Sequence, residues 1–229
     1  MTRLPKRAAL ALSILAILAS WVWQLTRAGT AGDIPQHFSE LVLRIVRNKL
    51  LVFAALMLLL HLEGEGLAAL GLTADRWRRR IALGIGLGTA MFVALNAGLS
   101  SVMQSLIPPT PGAPSIMRFF RDPANLLMWI PIGVVAGGVV EELQRIFVIT
   151  RFEKALGPTG LALGVILSSA MFGVGHLYQG LGNAISTAVS GLILALIYVR
   201  RRSAVEPIVA HAWSDVLAVI AATLLAGRQ

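Results

Sequence analysis

The sequence predicts an all-α fold, a polytopic transmembrane helical bundle of about seven spans. Three observations predict it. Of 229 residues, 56% are hydrophobic and only 14% charged, where a soluble domain carries about a quarter charged, and mean hydropathy is +0.76. Apolar runs able to cross a hydrocarbon core ~30 Å thick recur along the chain, parted by short basic or Gly/Pro-containing breaks. Neither strand-type alternation nor an internal repeat competes with this pattern. The length suits one bundle rather than several domains. With no cysteine in the chain, disulfide frameworks, thiolate zinc sites and thiol nucleophiles are excluded. The net charge of +9 sits in short loops between apolar runs, which favours anionic lipid headgroups over nucleic acid as its partner.

The first run, residues 8–25, follows the basic Arg3, Lys6 and Arg7. It exceeds the ~7–15-residue apolar core of a cleaved signal peptide, so a span or signal anchor is expected over a peptide cut near residues 28–32. Residues 37–49 form an amphipathic stretch that either lies on the membrane surface or extends the next run, 50–62, which is short on its own. The third run, 81–107, offers Gly84, Gly86, Gly88 and Ala90 for close helix packing, and the Pro/Gly-rich 108–112 stops it. A fourth run, 125–151, contains Pro131, where a kink is expected because proline cannot donate to the helical ladder. Gly157-Pro158 breaks the chain before a fifth run, 160–178. Runs at 183–199 and 204–226 complete the set.

Loop charge sets an orientation. With the N-terminus inside, the cytoplasmic side receives Arg3, Lys6 and Arg7, then Arg76 with Arg78–Arg80, then Arg151 and Lys154, then Arg200–Arg202, as the positive-inside rule expects. Arg44, Arg47 and Lys49 are the exception, falling on the other side. Trp21, Trp23 and Trp77 read as interfacial anchors, as does His61 without further role. Trp129 and Trp213 either line a pocket or pack.

Against this background six ionisable residues stand out: Glu141, Glu142, Arg145, His176, His211 and Asp215 all lie inside apolar runs. Insertion scales charge about 2.5–3.5 kcal/mol for such a group at the bilayer centre, so these residues face protein or a wet cavity and serve a function there. At ~1.5 Å per residue, Glu141 is roughly 15 Å below Arg151, His211 about 14 Å and Asp215 about 20 Å below Arg202, and His176 about 24 Å past Gly160. A shared pocket near mid-membrane is therefore expected, with His176 the deepest. Arg145 stands three and four residues after the two glutamates, within reach of both; an arginine fork can hold one and leave the other as a general base for water. His211 and Asp215 are four apart, so the aspartate can orient the imidazole. His176 closes Phe172-Gly-Val-Gly-His176, whose glycines allow close backbone approach.

A Glu-Glu pair with a following arginine, then FxxxH, then HxxxD, in that order over residues 126–225, resembles the CPBP family: the CAAX proteases and bacteriocin-processing enzymes, which include the eukaryotic Ras-converting endopeptidase. The resemblance implies an intramembrane endopeptidase in which Glu141 is the base, His176 helps to hold the water, and His211 with Asp215 stabilises the tetrahedral intermediate. It implies a membrane-associated peptide or protein substrate, prenylated or not, and a bacterial inner membrane as location; no cofactor and no metal ligand is assigned, and the use of a metal stays open. The family pattern is EExxxR, whereas this chain reads Glu-Glu-Leu-Gln-Arg, which turns Arg145 about 100° around the helix and puts its role in question. On this reading residues 1–124 are N-terminal transmembrane helices and loops, and 125–229 the catalytic core.

Three other readings compete. Glu141, His176 and His211 have the donor types for a metallopeptidase with one open position, although no HExxH helix is present. The charges could instead form a structural ion cluster or line a proton or ion pathway in a non-catalytic immunity, scaffold or transport protein. The Arg200–Arg202 run reads as an orientation signal.

Overall fold

A computed structural model of the chain describes residues 5–28, 34–107 and 113–226. It is helical, as expected, with no strand among the described residues. In lipid every backbone N–H and C=O must be satisfied within the segment, and only a helix does that locally for an unpaired span. The helices are α1 (Lys6–Arg27), α2 (Phe38–Leu62), α3 (Trp77–Leu106), α4 (Ala113–Arg121), α5 (Pro123–Val174), α6 (Leu181–Arg201) and α7 (Val205–Ala226). Six of them, all but α4, are long and apolar enough to cross a membrane.

Helix α5 is too long for one crossing, and it is not straight. Gly157 takes φ +62°, ψ −141°, outside the helical region, and Pro158 then occupies the first turn of a second arm, where its missing N–H costs nothing. The arms fold back on each other. A side chain at Gly164 would stand 2.9 Å from the Cα of Ile149, and Val165 joins Phe147, Ile149 and Phe152 in one core cluster. Counting the arms separately gives the seven expected crossings. The expected kink at Pro131 takes the form of widened, π-type turns over Ile132–Glu141, which lead directly into the glutamate pair. Such insertions are frequent at functional sites.

Two segments sharpen the expectation. Of the two alternatives for residues 37–49, the structure has the extension of the next run: from Phe38 they are the first half of α2, a single 25-residue helix. Helix α4, absent from the sequence reading, buries Ile116 and Phe119 against Leu41, Trp129 and Val219. Its Arg118 donates to the carbonyls of Pro35 and Gln36 at 2.9 and 3.3 Å. The 108–112 stop signal, Arg3 and most of the candidate cleavage segment at 28–32 lie outside the described residues.

Helix α1 is docked through Gln24, which donates to the Met171 carbonyl at 2.7 Å, and Trp21, which meets Phe152 at 5.8 Å. Trp129 packs on Phe38 and Phe120, and Trp213 donates to Thr89 at 2.9 Å, so both serve helix packing. The outward faces carry Leu15, Leu43, Leu51, Val93 and Leu127, a density of exposed apolar residues suited to lipid rather than water.

One end of the bundle gathers the basic clusters. Ser13 of α1 donates to Glu63 just past α2 at 2.5 Å. Fully buried Arg151 bonds Glu63 at 3.0 Å and Glu65 at 2.9 Å, Lys154 also pairs with Glu65, and Arg202 pairs with Glu153 at 2.6 Å. The Ala204 amide donates to the Gly71 carbonyl at 3.0 Å, tying the α6–α7 turn to the α2–α3 loop. The clusters that sequence placed on one side thus share one end.

Candidate active site

The glutamate pair opens the α-helical part of the first α5 arm, His176 lies in the turn just beyond the second arm, and His211 and Asp215 sit one turn apart on α7. Sequence placed His176 inside a span; the helix in fact ends at Val174, and the turn swings the ring back toward the first arm. Small residues let these elements close up. A side chain at Gly137 would collide with the Asp215 carboxylate at 2.5 Å and approach Nε2 of His211 at 3.6 Å. One at Gly191 of α6 would meet Arg145 at 2.9 Å and Phe172 at 3.0 Å.

Glu142 is fully buried and pairs with Arg145, whose other terminal nitrogen donates to the Gly191 carbonyl at 2.7 Å. The second Glu142 oxygen lies 2.8 Å from Nδ1 of His211. Arg145 therefore takes the second glutamate, at i,i+3, and leaves Glu141 to other partners. The early arginine of the variant motif is a full member of the site.

The histidine geometry corrects the expected pairing. His211 Nε2 is 3.5 Å from Asp215 and 4.0 Å from Glu141, both longer than an ordinary hydrogen bond. Glu142, and not Asp215, holds the ring. Asp215 instead flanks the same nitrogen that faces Glu141, over the Gly133–Gly137 surface.

His176 Nδ1 lies 2.8 Å from the Phe172 carbonyl. A carbonyl only accepts, so Nδ1 carries the proton there, and Nε2 is the nitrogen left for chemistry. Both histidines thus engage Nδ1 and leave Nε2 as the ring nitrogen not so held. Phe172 joins the parts: its ring centroid lies 4.8 Å from that of His176 and 5.6 Å from that of His211, and the Arg145 guanidinium sits 5.1 Å above it. Glu141 is within electrostatic reach of both imidazoles. All six predicted residues are brought into one assembly.

Sequence reasoning missed one member. Lys49 of α2 places Nζ 2.5 Å from Glu141. Read as part of an interfacial loop, it looked like the exception to the charge rule. It is position twelve of a continuous 25-residue helix, near the middle of that candidate span, and that continuity was the signal available.

Among the described residues, no three His, Asp or Glu side chains are gathered with the spacing of a metal site. The arrangement offers a carboxylate that approaches one imidazole nitrogen, lies within electrostatic reach of a second imidazole and pairs with a lysine through its other oxygen: a set with the groups to take a proton from water and to stabilise negative charge on a neighbouring oxygen.

Residues 123–217 match the family described as Type II CAAX prenyl endopeptidase Rce1-like. No curated protein and no solved structure matched the chain. The match covers the segment that carries all three motifs and bears out the resemblance read from them. At the level of that family the activity is proteolytic hydrolysis, and together with six membrane-length helices it indicates an integral membrane protein.

Proposed function

We propose that this protein is an intramembrane endopeptidase in which Glu141 and His176 activate water against a peptide bond of a membrane-associated substrate, with the N-terminus cytoplasmic. Glu141 accepts a proton from water while Nε2 of His176 accepts its second hydrogen bond. The resulting hydroxide adds to the scissile carbonyl carbon. A protonated His211 ring, fixed at Nδ1 by Glu142, donates from Nε2 to the oxyanion; such donors contribute several kcal/mol where they are preorganised, about 2.7–4 for one well-placed group. The proton held by Glu141 then passes to the departing amide nitrogen as the C–N bond breaks. Asp215 acts beside His211, adding negative charge near its Nε2 rather than orienting the ring. Residues 125–229 carry this chemistry, and the preceding helices supply Lys49 and the enclosing wall.

The observation that supports the reading is the approach of Glu141 to Nε2 of His211, 4.0 Å apart. Lys49 engages the other Glu141 oxygen and Glu142 holds Nδ1 of the ring, so the oxygen and nitrogen that face each other are the atoms left for a reacting molecule. Mass-spectrometric comparison of membrane-protein termini in cells carrying wild type or Glu141→Gln tests it. New termini that vanish with the substitution support proteolysis, and identical terminal profiles at equal protein abundance overturn it. Prenylated substrates are proposed on the family description alone, and a synthetic prenylated peptide beside its unprenylated twin separates the two substrate classes.

A further inference from the structure

A second polar assembly lies at the basic end of the bundle, away from Glu141, where α3 and α7 start and α6 ends. Arg76, Arg79, Arg80, Arg200, Arg201 and Glu206 line a cavity of about 230 Å³. Five guanidinium groups line it with a single carboxylate: Glu206, 1% exposed, takes Arg201 on one oxygen at 3.3 Å, and its other oxygen is buried with no hydrogen-bond partner. Arg80 spends one nitrogen on Asp75 at 2.7 Å, while its other terminal nitrogen is buried with no hydrogen-bond partner. Among the described residues, no carboxylate pairs with Arg76, Arg79 or Arg200.

Like charges converging on one cavity repel, and a buried donor without a partner is destabilising. Both penalties are lifted by an anion with several oxygens. Guanidinium forks match phosphate geometry, and the cavity is smaller than the ~300–1,000 Å³ of sites that enclose drug-sized ligands. Its level in the membrane narrows the source. Trp77, half exposed at the start of α3 with Arg78 over its ring at 5.3 Å, stands where aromatic side chains mark the headgroup region. Basic pockets between helices at that level take anionic headgroups.

We propose that this cavity binds the phosphate of an anionic phospholipid headgroup, so that the arginine run at the end of α6 is a ligand site as well as an orientation signal. The claim is independent of proteolysis, and its test measures no cleavage. Full-length protein is offered phosphatidylglycerol and phosphatidylcholine in equal amounts, and retained lipid is read by native mass spectrometry. Wild type is expected to retain phosphatidylglycerol preferentially, and Arg79→Gln/Arg200→Gln to lose roughly 30-fold of that preference, two surface cations' worth. In zwitterionic detergent the same double variant should melt no lower than wild type, because mutual repulsion has been relieved. Inorganic phosphate is the second probe. A phosphate-induced rise in melting temperature that the variant loses, without any lipid preference, moves the ligand to free phosphate and overturns the headgroup assignment. Equal retention of the two lipids by wild type overturns it as well, whether or not the variant folds.

Discussion

His211 and Glu142, 69 positions apart, meet at 2.8 Å, and this contact decides which carboxylate governs the imidazole. Removing charge from Glu142 leaves Arg145 buried and uncompensated, a loss of about 3–5 kcal/mol by comparison with other broken buried pairs. Glu142→Gln is therefore expected to lower thermal stability sharply, and Glu142→Gln/Arg145→Met to recover part of it, as read by unfolding in detergent.

Asp215 holds no hydrogen bond to the ring, so Asp215→Asn should cost activity less than tenfold or so. Loss of the His211 donor in His211→Ala should cost about 10²–10³-fold in kcat. Cleavage assays on the two variants check the order. A reversed order would return the orienting role to Asp215.

Lys49 touches the carboxylate that is proposed to take the proton. Lys49→Met frees Glu141 to rotate, and misplacement of a reacting group by ~1 Å can cost about 10²-fold. A fall in kcat of that size with KM nearly constant is expected, and Lys49→Arg should restore part of it. A variant that changes only KM would make Lys49 a substrate contact instead.

The proposed water activation runs through side chains alone. Cleavage should therefore persist through prolonged dialysis against a strong chelator, with no gain on adding zinc. Loss of activity on chelation that zinc restores would favour the metallopeptidase reading.

Outside the spans, Glu65 gives a prediction in pH. Burial pushes its carboxyl up, but hydrogen bonding to Lys154 and the charges of Arg151 and Lys154 outweigh that and leave its pKa below the ordinary 4.5. A group depressed in the folded state contributes stability that is full above its unfolded pKa and is lost as pH falls through the folded value. Melting temperature should thus decline below about pH 4.5 more steeply in wild type than in Glu65→Gln.

Much of this was legible in the chain because lipid imposes simple rules: spans must be long, apolar and helical, and charges within them must find each other. The Gly157 reversal and the six clustered residues follow from those rules. Lys49 did not, because a charged residue near the start of an apolar run looks interfacial until the helix is known to begin at Phe38. Asp215 misled for another reason. Spacing of four shows that contact with His211 is possible, but a competitor 69 positions away leaves no local trace. Helix α4 escaped because its apolar residues are few and flanked by arginines.

The imidazole of His211 belongs to α7, which is synthesised after α1–α6. A ribosome that has made those six helices has therefore made a scaffold with its acid in place and no donor for the oxyanion. On the proposed mechanism the nascent protein is inert toward its neighbours in the translocation machinery until α7 is inserted.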